Sequence, residues 1–183
     1  MKLRSILIAL SLVLLSACGG LSSQQKEAAN KAITSLRKVH AATEVGVNYM
    51  QYGQLLIDAK AEVNNAEGAL AQGDLRSEIR SAMDAYSDAG QAWGLKIKGS
   101  YHIYEKAGPG SELISKYSLP TMDPGDSGSK LLGGQIEIET AIQSIWSTAR
   151  DHLERAESLM KGIKPPLKNS NTGGLINTHL SKN

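Results

Sequence analysis

Apolar positions recur at alternating three- and four-residue spacing through most of this chain, the mark of helices that bury one face. Ala42, Val45, Tyr49, Tyr52, Leu56, Ala59, Val63, Ala66 and Leu70 form the first such stripe, with Asn48, Gln51, Asp58, Glu62, Asn65 and Gln72 on the opposite side. The pattern predicts one long helix from Ser22 or Ser23 to about Ala71, weakest in its first turns around Gln24 to Ala32. Gly73-Asp74 supplies a turn and an N-cap, after which Leu75, Ile79, Ala82, Tyr86, Ala89, Trp93 and Ile97 repeat the stripe in a second helix. So short a connection turns the second helix antiparallel to the first. Tyr101 and Tyr104 continue the spacing and carry the expected helix to Ala107, before Gly108-Pro109-Gly110 ends it.

Ser111 is placed to cap a short helix over Glu112 to Tyr117, closed by Pro120, and Thr121 to Gly128 reads as a crossover rich in Gly, Asp, Pro and Ser. The last long helix is expected from near Ser129, with Ile138, Ile142, Ile145, Ala149, Leu153, Ala156 and Met160 facing inward, until Pro165-Pro166 stops it. No strand signal stands out. The expected fold is therefore all-α: a bundle of three long antiparallel helices over residues 31–164, with a short fourth helix in the crossover. Residues 165–183, polar and aperiodic, are expected to form a disordered tail.

The first residues follow a different rule. Lys2 and Arg4 make a positive start, Ile6 to Leu15 an apolar run broken only by Ser11, and Leu15-Ser16-Ala17-Cys18 ends it with small residues before the sole cysteine. A membrane-crossing helix needs about 20 apolar residues, and this run stops at Gly19-Gly20. A plain secretory signal also ends in small residues, but it does not require a cysteine immediately after them. The segment resembles the signal peptide and lipobox of bacterial lipoproteins.

That resemblance implies a signal peptide over residues 1–17 and a diacylglycerol on the Cys18 sulfur, followed by a tether over residues 18–30. In many bacteria a third acyl chain joins the Cys18 amine, and two or three chains make membrane attachment effectively permanent. Gly19 stands where enterobacterial lipoproteins retained in the inner membrane carry Asp, so the resemblance favours the periplasmic face of an outer membrane in a two-membrane cell.

Losing the signal removes Lys2 and Arg4 from a chain of 20 basic and 18 acidic residues, formally +2, and leaves a nearly neutral domain. Such a domain has no electrostatic footprint for nucleic acid. Acylation of Cys18 leaves no thiol for a disulfide, a nucleophile or a metal.

Other chemistry is sparse. Gly125-Asp126-Ser127-Gly128 matches the tetrapeptide around the nucleophile of trypsin-like proteases, but it lies between helices and turn chemistry accounts for it. Among His40, His102, His152 and His179 none has a glutamate three residues before it, the spacing of di-iron bundles. His40 with Glu44 and His102 with Glu105 read as ordinary surface pairs, and Asp151, Glu154 and Glu157 interleave with Arg150, Arg155 and Lys161 as on a solvated face. No metal or cofactor is expected.

Two features stand out. Gly46, Gly53, Gly90, Gly94 and Gly99 fall inside expected helices, each costing about 1 kcal/mol relative to alanine, so close helix contact is expected to offset them. The aromatic set is six Tyr and two Trp with no Phe, so every ring has a polar handle. Tyr49, Tyr52, Tyr86 and Trp93 lie on the core stripes and read either as a packed core or as the lining of a pocket between helices. Tyr101, Tyr104 and Tyr117 are expected near one end, and Trp146 at the edge of the inward face. The function these features favour is a lipid-anchored, non-catalytic interaction or adaptor module with a cell-envelope protein as partner. The alternative is small-ligand binding or sensing in the Tyr-lined pocket. An enzyme ranks third, to be raised if His102 or His152 were to meet a buried carboxylate.

Overall fold

Ser22 opens helix α1 (Ser23–Val45) with a reciprocal cap: its hydroxyl accepts from the Gln25 amide, and the Gln25 side chain accepts from the Ser22 amide. This is a computed structural model, and it describes residues 20–123, 125 and 130–165. The signal-peptide segment, Cys18, the Asp126-Ser127 pair, His179 and the tail from Pro166 onward lie outside the described residues. Helix α1 begins within the stretch expected to be a tether, and Ala29, in its second turn, is already fully buried.

The chain leaves α1 at Gly46, whose φ of 92° is open to glycine and strained for other residues. Asn48 then caps α2 (Tyr49–Ala69), its side chain accepting from the Gln51 amide. The single helix expected from Ser23 to Ala71 is therefore two, and the long helices number four rather than three. The heptad stripe crosses this break because both helices face one core. Val45, on that stripe, lies at the turn and is 85% exposed.

Helix α3 (Asp74–Ile97) ends at Lys98 and Gly99, and the chain goes on into strand β1 (His102–Tyr104) instead of continuing helically to Ala107. Helix α4 (Ser111–Tyr117) follows, then a single 3-10 turn at Lys130–Leu132 and strand β2 (Gln135–Glu137). The strands pair antiparallel, with buried Ile103 opposite buried Ile136. Three residues are too few for a period-two signal, which is why the sequence pattern shows no strand here. The last helix, α5 (Ile138–Met160), starts at Ile138 rather than near Ser129.

Side-chain contacts give the helix directions. Gln25 of α1 donates to the Ala69 carbonyl at the end of α2, Glu67 pairs with Arg80, Lys96 with Glu139, and Arg37 with Glu157. Helices α1, α2, α3 and α5 thus run alternately up and down around one core. The proximal end holds the start of α1, the turn at residues 70–73 and the end of α5. The distal end holds the Gly46 turn, the end of α3, both strands, α4 and the start of α5. Alanine lines much of the interior (Ala29, Ala32, Ala59, Ala66, Ala82, Ala85, Ala89, Ala92), which lets the helices approach closely around Leu36, Ile79, Met83, Ile142 and Ile145. No described helix is long and apolar enough to cross a membrane.

Candidate functional site

The four ring-bearing residues singled out by their stripe positions meet unequally. Tyr52 is fully buried on α2, and its ring centroid lies 5.5 Å from that of Trp93 and 5.6 Å from that of Trp146. Trp93 stands edge-on to Trp146 at 5.7 Å and to the partly exposed Tyr49 at 5.8 Å. The Tyr52 hydroxyl accepts from the Trp146 indole N–H at 2.8 Å and donates to the Tyr86 carbonyl at 2.8 Å. Burial pushes the Tyr52 hydroxyl far above its ordinary pKa, and the Trp146 hydrogen bond only partly counters this. Trp93 touches all three other rings and Tyr52 makes both hydrogen bonds; Trp146 joins them as the hydroxyl's donor, which its edge position on the α5 stripe did not signal.

Gly90 and Gly94 make room for this cluster. A β-carbon at Gly90 would lie 3.0 Å from Leu56 Cδ1 and 3.4 Å from Tyr52 Cε1, and one at Gly94 would lie 3.0 Å from the Tyr49 hydroxyl. The expected close contact is thus between glycine and ring. Gly53 and Gly46 have nothing within 4 Å of such a β-carbon and play no part in it.

Tyr86 is fully buried, and its hydroxyl has no hydrogen-bond partner among the described residues. Burial raises its pKa first of all; Arg150 acts the other way, and Glu44 and Glu154 reinforce burial. Two of those residues, Glu44 and Arg150, line a small polar hollow of about 170 Å³ with His40, Thr43, Gln143, Trp146 and Ser147. None of Tyr49, Tyr52, Tyr86 and Trp93 lines it, nor do they line the open groove along α1 between Ser23 and Lys38. Tyr49, Tyr52 and Trp93 belong instead to the ring cluster with Trp146.

Two polar clusters escape the sequence pattern. His152 does meet a carboxylate: its Nδ1 lies 2.6 Å from Glu78 Oε2, which also accepts from Arg155 Nε at 3.0 Å. Arg155 Nη2 also lies 2.7 Å from that Nδ1, so the ring nitrogen stands between a carboxylate acceptor and a guanidinium donor. Burial raises the Glu78 carboxyl, but His152 and Arg155 outweigh it and hold the group below its ordinary value. Glu78 lies on α3 and His152 and Arg155 on α5, so the trio clamps these two helices together. The second cluster is at Asp88, where Oδ2 accepts from Lys116 Nζ at 2.6 Å and from the Tyr117 hydroxyl at 2.7 Å, fastening α4 to α3. Burial and then the Asp88 carboxylate raise the Tyr117 hydroxyl well above its ordinary range. Tyr117 is thereby committed inward, Tyr104 shares with His102 the strand face opposite buried Ile103, their centroids 6.4 Å apart, and Tyr101 is 80% exposed. Among the described residues no three His, Cys, Asp or Glu side chains converge as metal ligands.

The exposed large apolar side chains are concentrated. Val45, Tyr49, Met50, Ile97, Tyr101, Met122 and Leu131 all belong to the distal end, whereas Ile57 is on the flank of α2 and Ile163 follows α5. No family model, no curated protein and no solved structure matches this chain.

Proposed function

We propose that the chain is a lipid-anchored cell-envelope protein whose helical bundle is a non-catalytic interaction module, held to the membrane through Cys18 and docking an envelope partner at its distal end. The observation that carries this reading is the apolar tip formed by Val45, Tyr49, Met50, Ile97 and Tyr101 at the end opposite the start of α1. Concentrated apolar exposure on a soluble surface marks a contact surface, because water contact there is unfavourable and a partner removes it. The tether holds one end to the bilayer and leaves the other, about 30 Å away along α2, to the partner.

The polar clusters fit the same reading. Asp88, Lys116 and Tyr117 fasten α4 to α3 beside the tip, so less ordering opposes association, while Glu78, His152 and Arg155 clamp α3 to α5 nearer the proximal end. The small-ligand alternative has weaker support: Tyr49, Tyr52, Tyr86 and Trp93 line neither the hollow of about 170 Å³ nor the open groove along α1.

The test is photo-crosslinking in intact cells, with a benzophenone amino acid at Met50 or at the exposed Gln72 of the proximal turn. A reproducible adduct with one envelope protein from Met50, absent from Gln72, is the expected result. Adducts of equal pattern from both positions, or none from Met50, would count against the proposal.

A further inference from the structure

The anchor and the bundle do not meet at an arbitrary angle. Only residues 19–22 separate Cys18 from the first residue of α1, and at about 3.5 Å per residue this linker spans at most about 17 Å. The proximal end is thus within reach of the lipid headgroup layer, and its side chains decide whether it rests there or swings free.

That end is basic. Lys26 lies in the first turn of α1, and Lys161 and Lys164 flank the exposed Ile163 where α5 ends. Among the described residues no ion pair engages these three lysines. Arg76 adds a fourth positive group, partly held on the Leu70 carbonyl, while Asp74 is the acidic group of that turn without an ion pair. The distal elements have the opposite balance: Glu44, Glu105, Glu112, Asp123 and Glu137 stand against Lys98, Lys106 and Lys130. The amides of Gly162 and Ile163 bond back to Leu159 and Ser158, and this helix stop normally tucks its last apolar residue against the helix. Here Ile163 is 58% exposed between its two lysines.

We infer that the proximal end is a membrane-contact surface, in which Lys26, Lys161 and Lys164 face anionic lipid headgroups and Ile163 enters the interfacial layer. This rests on the lipid anchor proposed above. A positive end held within about 17 Å of an anionic bilayer feels its potential, since screening acts over about 8–10 Å at physiological ionic strength. The acidic distal end is repelled from the same surface. Together the two ends stand the bundle upright, with the apolar tip turned from the bilayer.

The experiment uses the lipidated full chain in vesicles of three parts phosphatidylglycerol to seven parts phosphatidylcholine. Because acylation occupies Cys18, a thiol introduced by Gln72→Cys (proximal) or Gln51→Cys (distal) is the sole site for a bimane label. Quenching by a headgroup-bound nitroxide lipid is expected to be strong at position 72 and weak at 51. The combined Lys26→Gln, Lys161→Gln and Lys164→Gln variant is expected to weaken that contact about a hundredfold, or about fivefold per charge, and to lessen the contrast. Equal quenching at the two positions, or a contrast that the lysine variant leaves unchanged, overturns the orientation while the anchor stands. A chain purified from membranes that does not float with the vesicles overturns both.

Discussion

Removing one oxygen from Tyr52 tests how the bundle is held together. In Tyr52→Phe the ring stays within its aromatic packing, but the hydroxyl that accepts from Trp146 at 2.8 Å and donates to the Tyr86 carbonyl at 2.8 Å is gone. Two bonds at about 1 kcal/mol net each give about 2 kcal/mol, and a part-buried indole N–H left unpaired adds a fraction of its desolvation penalty. The expected loss is about 2–3 kcal/mol, which for a domain of this size lowers Tm by about 4–12 °C. Tyr86→Phe is the matched control, because it too removes one buried hydroxyl, one with no partner among the described residues. It is expected to leave stability unchanged or raise it by up to about 1 kcal/mol. Urea unfolding followed by the fluorescence of Trp93 and Trp146 reads both variants. A Tyr52→Phe loss below about 0.5 kcal/mol, or equal losses in the two variants, refutes the reasoning.

Three further outcomes follow from the same geometry. Gly53→Ala, with open space around the new β-carbon, is expected to stabilise the chain by about 1 kcal/mol, whereas Gly90→Ala meets Leu56 and Tyr52 and is expected to gain nothing; thermal melts of the pair decide. Glu78→Gln is expected to cost about 1–2 kcal/mol at neutral pH. The Glu78 carboxyl is held below its ordinary value in the folded chain, so its contribution is full above the ordinary glutamate range and is lost as pH falls through the depressed value. Unfolding measured across pH should therefore show the difference between wild type and Glu78→Gln closing below about pH 4. Asp88→Ala strands Lys116 and Tyr117 and is expected to raise amide exchange across Ser111–Tyr117 at least tenfold while α5 stays protected.

Helical periodicity carried most of the fold, for a physical reason: each long helix buries a continuous stripe. Ile79, Ala82, Tyr86 and Ala89 on α3, and Ile142, Ile145, Ala149 and Leu153 on α5, are buried as their spacing requires. The same regularity hid the break at Gly46, because a stripe on one side of a hairpin continues the stripe on the other. The local sign was Gly46 followed two residues later by Asn48, a helix stop beside a helix start. The strands were illegible because their pairing joins Ile103 to Ile136 across a long crossover, and no local pattern encodes that register. In the aromatic cluster the stripe identified Tyr52 and Trp93 but not Trp146 as the hydroxyl's donor. The Glu78, His152 and Arg155 clamp depends on helix register, which spacing along one helix does not contain.

The account turns on Cys18, and its most direct test is where the chain goes without that residue. Wild type and Cys18→Ser are expressed in the native cell and separated into membrane and soluble fractions, with the mass of the N-terminal peptide measured in parallel. The account predicts wild type in the membrane with an acylated Cys18, and the variant released into the soluble fraction. A Cys18→Ser chain that remains with the membrane, or a wild-type Cys18 of unmodified mass, contradicts it.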